Sequence, residues 1–133
     1  MWAEHTVQMK KNPILILAGL AGAGLVASAL YASTEPGPDE ARAKLQAGAK
    51  LVDVRTMQEF GEKNLPGAVN VPVDQIKTGI TNVTMDKSQV ILLHCRSGRR
   101  SGIAETELRA LGYTNAFNLG SYERAEKIVR SAK

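Results

Sequence analysis

The chain has 133 residues, enough for one ordinary domain, and its 44% apolar and 23% charged residues are typical of a globular rather than a disordered protein. The net charge of +4 is modest, and no basic stripe is interleaved with aromatic side chains, so we expect no nucleic-acid partner. One cysteine excludes an intramolecular disulfide, and the two histidines lack ligand spacing with a carboxylate cluster, so we expect neither a metal nor a cofactor.

The N-terminal segment, residues 1–33, differs from the rest of the chain. After an upstream extension, Lys10 and Lys11 precede an uncharged apolar run from Pro13 to Leu30 with small residues near its end. This order is typical of a secretory signal peptide, with cleavage after Ala29. An uncleaved anchor is the alternative, because roughly 20 apolar residues can just span a bilayer.

Either alternative predicts export, so we expect a periplasmic location. An anchor would add association with the inner membrane through residues 13–32. Residues 34–38, rich in Pro and Gly, are predicted to be a linker, and residues 39–133 to form the folded domain.

Helices and strands are predicted to alternate through this domain. Asp39 is predicted to cap a first helix that Gly48 ends, and Thr56 and Glu59 have the spacing of a capping box for a second helix. Further helices are predicted at 73–77, 101–111 and 122–130, and strands at 50–54, 68–71, 89–94 and 116–119. This alternation predicts an α/β fold, a parallel sheet with helices on both faces.

The stretch HCRSGRRS, residues 94–101, follows the most continuously apolar predicted strand. Its Cys95 is the only cysteine, and three arginines follow within five positions. Ligands of open α/β sheets bind at this carboxyl edge, where backbone N–H groups and a helix N-terminus favour anions. Because a positive environment lowers the pKa of a thiol, the loop predicts a reactive thiolate that attacks an anion. A buried, inert cysteine among solvated arginines is the less favoured alternative.

Four segments, in order and spacing, carry a family resemblance: LVDVRTMQEF, NLPGAVNVPV, ILLHCRSGRRS and LGYTNAFNLG. They resemble the single-domain rhodaneses, which are thiosulfate sulfurtransferases, across about residues 39–122. Among these, this chain, which is short and predicted to be exported, is similar to the periplasmic phage-shock type. The resemblance implies a rhodanese-like parallel sheet, preceded here by the apolar signal or anchor helix.

The resemblance also implies residue roles. Cys95 would attack the outer sulfur of thiosulfate, become a persulfide, and pass the sulfur to cyanide or another thiophilic acceptor. The residues that match the substrate-binding loop are Arg96, Ser97, Gly98, Arg99, Arg100 and Ser101. Asp53 and Arg55 match an Asp-x-Arg that braces this loop by charge-assisted hydrogen bonds. Glu59 belongs to the same supporting shell or is only a helix cap.

Some positions depart from the family pattern. Asn64 stands where the family often has histidine, and we expect a structural rather than catalytic consequence. Gly120, Ser121 and Tyr122 replace the usual Gly-Gly and downstream Trp, so this edge of the pocket is expected to differ. His94 precedes the nucleophile in a strand, where successive side chains point to opposite faces, so it is not expected to act as a general base.

Two other functions remain as alternatives. A phosphatase or arsenate reductase loop of the His-Cys-x5-Arg kind needs arginine six positions after the cysteine, and this chain has Ser101 there. A non-catalytic persulfide carrier or interaction module would need the same reactive thiolate as the enzyme. The expected partners are a small anionic sulfur donor and a thiophilic acceptor, and we expect a monomer.

Overall fold

The computed structural model describes residues 35–133. The predictions for residues 1–33, a signal peptide or membrane anchor, lie outside the described residues. Within 35–133, no helix is both long and apolar enough to cross a membrane.

Helices and strands alternate through the described residues, as predicted from the sequence. The elements are α1 (Pro38–Gln46), β1 (Lys50–Asp53), α2 (Met57–Glu62), β2 (Ala68–Asn70), α3 (Ile76–Gly79), β3 (Ile91–His94), α4 (Arg99–Ala110), β4 (Ala116–Gly120) and α5 (Tyr122–Ser131). Two short 3-10 turns, Val73–Gln75 and Ile80–Asn82, flank α3 and extend the helix predicted there. The capping box of α2 is present in both directions between Thr56 and Glu59.

Two helix starts differ from the prediction. Asp39 does not cap α1, because the helix begins at Pro38 with Gly37 as its N-cap. Proline suits the first helical position since the N–H that it lacks would have no helical partner there. The other helix, α4, begins at Arg99, two residues earlier than predicted, because Gly98 has a φ of 96° and turns the chain directly into the helix.

The four strands form one parallel sheet in the order β2-β1-β3-β4. Because all four run in the same direction, their carboxyl ends lie at one edge of the sheet. All four residues of β3 are buried, as expected of a central strand covered on both faces. The residue that follows β3 at this edge is Cys95.

Apolar side chains cover both faces of the sheet, which confirms the predicted layers. On one face α3 and α4 pack on the strands, in a cluster that includes Val52, Ile76, Leu93, Ala104 and Leu108. On the other face α1 and α5 pack on the strands, in a cluster that includes Ala41, Leu51, Leu92, Leu119 and Ile128. Burying each large side chain contributes about 1.5–3 kcal/mol to stability, so both layers hold the strand ends in place.

Candidate active site

The loop after β3 is fixed against the end of β4. The Cys95 N–H donates to the Gly120 carbonyl at 3.2 Å, and the Tyr122 N–H donates to the Arg96 carbonyl at 3.3 Å. Gly98 is required here, because its φ of 96° is left-handed and an added Cβ would lie 3.3 Å from the Gly120 Cα. The loop is therefore a rigid turn that leads from β3 into α4.

The sulfur of Cys95 is buried and receives hydrogen bonds from its own loop. The Gly98 N–H lies 3.0 Å from Sγ and the Ser101 hydroxyl oxygen 3.4 Å from it. Burial raises the pKa of the Cys95 thiol, but hydrogen bonds from the Ser101 hydroxyl and the loop amides outweigh burial, and the net pKa is lowered. The lowered thiol pKa depends on the loop amides, which the sequence analysis predicted together with arginine charge, and on the Ser101 hydroxyl, whose hydrogen bond to the sulfur it did not predict.

Of the three loop arginines, one is ion-paired and two have no ion-pair partner within residues 35–133. Arg100 donates to both carboxylate oxygens of Glu59, at 2.7 and 3.0 Å. This pair lowers the pKa of Glu59 to about 2 and raises that of Arg100. Arg96 and Arg99 are exposed, and within residues 35–133 neither side chain has an ion-pair partner. The structure thus brings Glu59 and Arg100 together, and it leaves Arg96 and Arg99, which starts α4, exposed.

The predicted Asp53 and Arg55 form a buried ion pair beside the loop. The Arg55 guanidinium donates to Asp53 Oδ1 at 3.0 Å, to Asp53 Oδ2 at 2.7 Å, and to the Lys63 carbonyl at 2.6 Å. The Asn70 amide, which the sequence motifs do not single out, donates to the carbonyls of Asp53 and Arg55. These bonds fix the chain after β1 next to the cysteine edge, and the loop-supporting role of the pair stays a prediction.

His94 lies on the side of β3 away from the nucleophile. Its fully buried ring meets the Tyr122 ring edge-on, with centroids 5.7 Å apart, and its Nε2 lies 3.9 Å from Asp53 Oδ2. Burial lowers the pKa of His94. Because Cys95 belongs to the cluster on the opposite face, His94 cannot accept its proton.

The positions that depart from the family pattern have structural contacts. Tyr122 packs beneath the Arg55 guanidinium, 4.6 Å from the ring centroid to Cζ. Asn64 donates to the Phe60 carbonyl at 3.0 Å and so satisfies the end of α2. Tyr122 therefore belongs to the surroundings of the loop, whereas the contact of Asn64 is local to the end of α2.

An open cleft lies beside the cysteine loop. Its lining residues are Arg55, Glu59, Glu62, Lys63, Arg96 and Tyr122. A more apolar groove, which includes Leu45, Pro66 and Val129, lies at the amino-terminal edge of the sheet, and its lining within residues 35–133 has no cysteine, serine, threonine or histidine. The cleft beside the Cys95 loop, at the carboxyl edge of the sheet, is therefore the candidate active site.

Asn118, which the motifs do not single out, connects β4 to the cysteine loop. Its amide oxygen accepts from the Ser101 hydroxyl at 2.7 Å and from the Gly120 N–H at 2.9 Å. Its amide nitrogen donates to the Gly98 carbonyl at 3.0 Å. The register between β3 and β4 shifts at this point, as bulges near functional sites do. A polar residue within a buried strand is the one sequence signal that could have identified it.

The fold and the site together define a parallel α/β domain with a hydrogen-bonded cysteine at the carboxyl edge of its sheet. The model of the rhodanese-like domain matches residues 37–126. The chain therefore belongs to the rhodanese family, as its motifs indicated.

Named relatives and a solved structure are similar to this chain. Thiosulfate sulfurtransferase PspE of Escherichia coli (strain K12) is 33% identical over 74 residues, 56% of this chain and 71% of that protein. The human single-domain sulfurtransferase TSTD1 has a TM-score of 0.62 and 27% identity, covering 71% of this chain and 96% of that one. The putative sulfur carrier protein YrkF of Bacillus subtilis (strain 168) is 26% identical over 69 residues, 52% of this chain and 36% of that protein. The first two names state a sulfurtransferase, and the third states a sulfur carrier.

Proposed function

We propose that the chain is a thiosulfate sulfurtransferase with Cys95 as its nucleophile. The Cys95 thiolate attacks the outer sulfur of thiosulfate, and the sulfur–sulfur bond of thiosulfate breaks. Sulfite leaves with the bonding electron pair, and Cys95 becomes a persulfide. A thiophilic acceptor such as cyanide then attacks the outer sulfur, which releases thiocyanate and restores the thiolate. No external oxidant or reductant is needed.

The observation that carries this proposal is the hydrogen bonding of the sulfur. The Gly98 N–H at 3.0 Å and the Ser101 hydroxyl at 3.4 Å favour the anionic form of Cys95. Arg96 and Arg99 of the same loop add exposed positive charge that has no ion-pair partner within residues 35–133. A nucleophilic anion beside positive charge suits attack on a small dianion such as thiosulfate.

Steady-state turnover with thiosulfate and cyanide tests the enzyme. We expect thiocyanate production by the wild type and none above background by Cys95→Ser, which preserves size and removes the nucleophile. Ser88→Ala, at a distant turn held by Asp86, is the control for a lost hydroxyl and should turn over like the wild type. Equal rates for the wild type and Cys95→Ser would exclude the proposed reaction.

A persulfide carrier is the second candidate, supported by the name of the YrkF relative, a putative sulfur carrier protein. A carrier would accept sulfur from a protein partner rather than from free thiosulfate. Rapid-mixing measurements separate the two functions. An enzyme releases one sulfite per Cys95 in the first turnover and continues when cyanide is present, whereas a carrier releases none from thiosulfate alone.

A further inference from the structure

The Ser101 hydroxyl has one proton and three acceptors within reach. The Asn118 amide oxygen lies 2.7 Å from Ser101 Oγ, the Gly98 carbonyl 3.1 Å, and the Cys95 sulfur 3.4 Å. A hydroxyl donates to one acceptor at a time and keeps two lone pairs for accepting. Ser101 is fully buried, so water does not compete with these three groups. The three acceptors therefore compete for the one hydroxyl proton.

The orientation of the Asn118 amide is fixed by groups that cannot exchange roles. Its Nδ2 faces the Gly98 carbonyl, which only accepts, and its Oδ1 faces the Gly120 N–H, which only donates. A flip of the amide would lose both hydrogen bonds. Toward Ser101, Asn118 can therefore act only as an acceptor.

This arrangement differs between the two ionisation states of Cys95. In the thiol form, Ser101 donates to Asn118 along the shortest contact, and its oxygen can accept from the Cys95 S–H. In the thiolate form, the sulfur is a charged acceptor and makes the stronger hydrogen bond, so the hydroxyl turns toward it. Asn118 then keeps only the Gly120 N–H as a donor to its oxygen.

We propose that Asn118 is a positioning residue that holds the Ser101 proton while Cys95 is a thiol and releases it to the sulfur on ionisation. The thiol proton itself goes to solvent. Each ionisation thus breaks one hydrogen bond to Asn118, and this keeps the thiolate from becoming too stable. A thiolate of very low basicity is a weaker nucleophile, so this restraint preserves reactivity. The inference rests on the proposed role of Cys95 as nucleophile.

The Cys95 pKa, measured from the pH dependence of iodoacetamide alkylation, tests the inference without any sulfur transfer. Asn118→Leu keeps the branching of the side chain and removes the nearest acceptor, so the Ser101 proton is shared only between the sulfur and the Gly98 carbonyl, and the charged thiolate is the stronger acceptor of the two. We expect this variant to lower the thiol pKa by about 0.5 to 1, the effect of one neutral hydrogen bond. Ser101→Ala should raise the pKa, because it removes a donor to the thiolate.

The double variant decides whether Asn118 acts through Ser101. In the Ser101→Ala background, Asn118→Leu should leave the Cys95 pKa unchanged. If Asn118→Leu shifts the Cys95 pKa equally with and without the Ser101 hydroxyl, the inference is overturned. A raised Cys95 pKa in the Asn118→Leu single variant would also overturn it, and either result would indicate only a loosened loop. Asn115→Leu is the matched control, because it loses a side-chain amide hydrogen bond to the Ser88 carbonyl at the opposite edge of the sheet. Its Cys95 pKa should equal that of the wild type.

Two further measurements keep the test decisive. If Asn118→Leu does not fold, as judged by circular dichroism, Asn118→Ser is used instead, because its shorter polar side chain withdraws the acceptor from Ser101. This variant should also lower the Cys95 pKa. Thiosulfate turnover is measured in parallel. If the wild type shows no turnover but the variants show the expected pKa pattern, the proposed function alone is refuted. If the wild type turns over and the variants lack that pattern, the role of Asn118 alone is refuted.

Discussion

At the scale of residues, the surroundings of Cys95 contain two groups of partners, neutral hydrogen-bond donors and arginines. Neutral donors in the loop, above all the Ser101 hydroxyl and the Gly98 N–H, touch the sulfur and stabilise the thiolate. The arginines around them do not touch it: Arg100 is hydrogen-bonded to Glu59, whereas Arg96 and Arg99 extend into solvent. Charge in this loop is therefore better placed to attract an anion than to ionise the thiol.

Replacement of Arg99 or Arg96 tests this division. Arg99→Ala and Arg96→Ala should each raise the KM for thiosulfate about three- to tenfold at low salt, because one exposed charge contributes about 1 kcal/mol to binding a dianion. The rate of Cys95 alkylation by neutral iodoacetamide should change by less than about twofold, because the hydrogen-bond donors to the sulfur remain intact in both variants. Initial rates at two ionic strengths provide the measurement.

Arg130→Ala is the control, since this arginine pairs with Glu126 in α5, within one helix. It should change neither rate. Equal losses in thiosulfate use and in alkylation for Arg99→Ala would contradict an anion-binding role. The prediction differs from one based on the sequence alone, which gives Arg100 the same standing as Arg99.

At the scale of elements, the turn from β3 into α4 positions the sulfur donors. Gly98 has a left-handed φ of 96°, and its N–H is the donor 3.0 Å from the sulfur. The same residue lies against Gly120 of β4, so the loop, the helix and the edge strand share one close contact.

Gly98→Ala should therefore impair both stability and reactivity. The left-handed conformation costs a residue with a Cβ roughly 1–2 kcal/mol, and contact with Gly120 adds to this cost. We expect lower unfolding free energy, measured with urea, and slower alkylation of Cys95. Gly61→Ala, inside α2 with open space around the added Cβ, should instead be stabilising by about 0.5–1 kcal/mol. A Gly98→Ala protein as stable and as reactive as wild type would contradict the role given to this turn.

At the scale of the whole molecule, the Glu59–Arg100 pair joins α2 to α4 across the mouth of the site. The two residues are 41 positions apart in the chain. Their pairing depresses the pKa of Glu59 to about 2 from its ordinary value of 4.5. A carboxylate with a depressed pKa in the folded state stabilises the protein fully above its unfolded pKa and loses that contribution as pH falls through the folded value.

Stability measured by urea unfolding between about pH 6 and pH 2 tests this link. The wild type should lose stability more steeply than Glu59→Gln between about pH 5 and pH 2, because glutamine has no charge to lose. Glu123→Gln, at an exposed pair with Lys127, is the control and should retain the steep dependence of the wild type. Identical slopes for the wild type and Glu59→Gln would show that the pair does not contribute to stability.

Export is the second question at this scale, and we propose that residues 1–33 direct the domain to the periplasm. The mass of the chain recovered from that compartment separates the two alternatives. Cleavage after Ala29 leaves a chain that begins at Leu30, whereas an anchor leaves the apolar run in place and the protein in the membrane fraction. Recovery of the whole chain from the cytoplasm would contradict both.

The layers of the fold and the position of Cys95 could be predicted from local patterns. The apolar run of β3 and the capping box of α2 each lie within a few residues, so the sequence contains the whole signal. The partners of the loop could not be predicted in this way. Asn118 reaches Ser101 across 17 positions, and Glu59 reaches Arg100 across 41, so only the folded sheet brings them together. Local patterns thus located the proposed nucleophile, and tertiary structure determined which groups contact it.

Intact-protein and peptide mass spectrometry after incubation with thiosulfate tests the central claim most directly. The wild type is expected to gain about 32 Da, one sulfur atom, on the peptide that contains Cys95, and cyanide should remove it. Cys95→Ser should gain nothing under the same conditions. An unmodified Cys95 in the wild type, or an equal gain of mass in Cys95→Ser, would contradict a Cys95 persulfide as the sulfur-carrying intermediate.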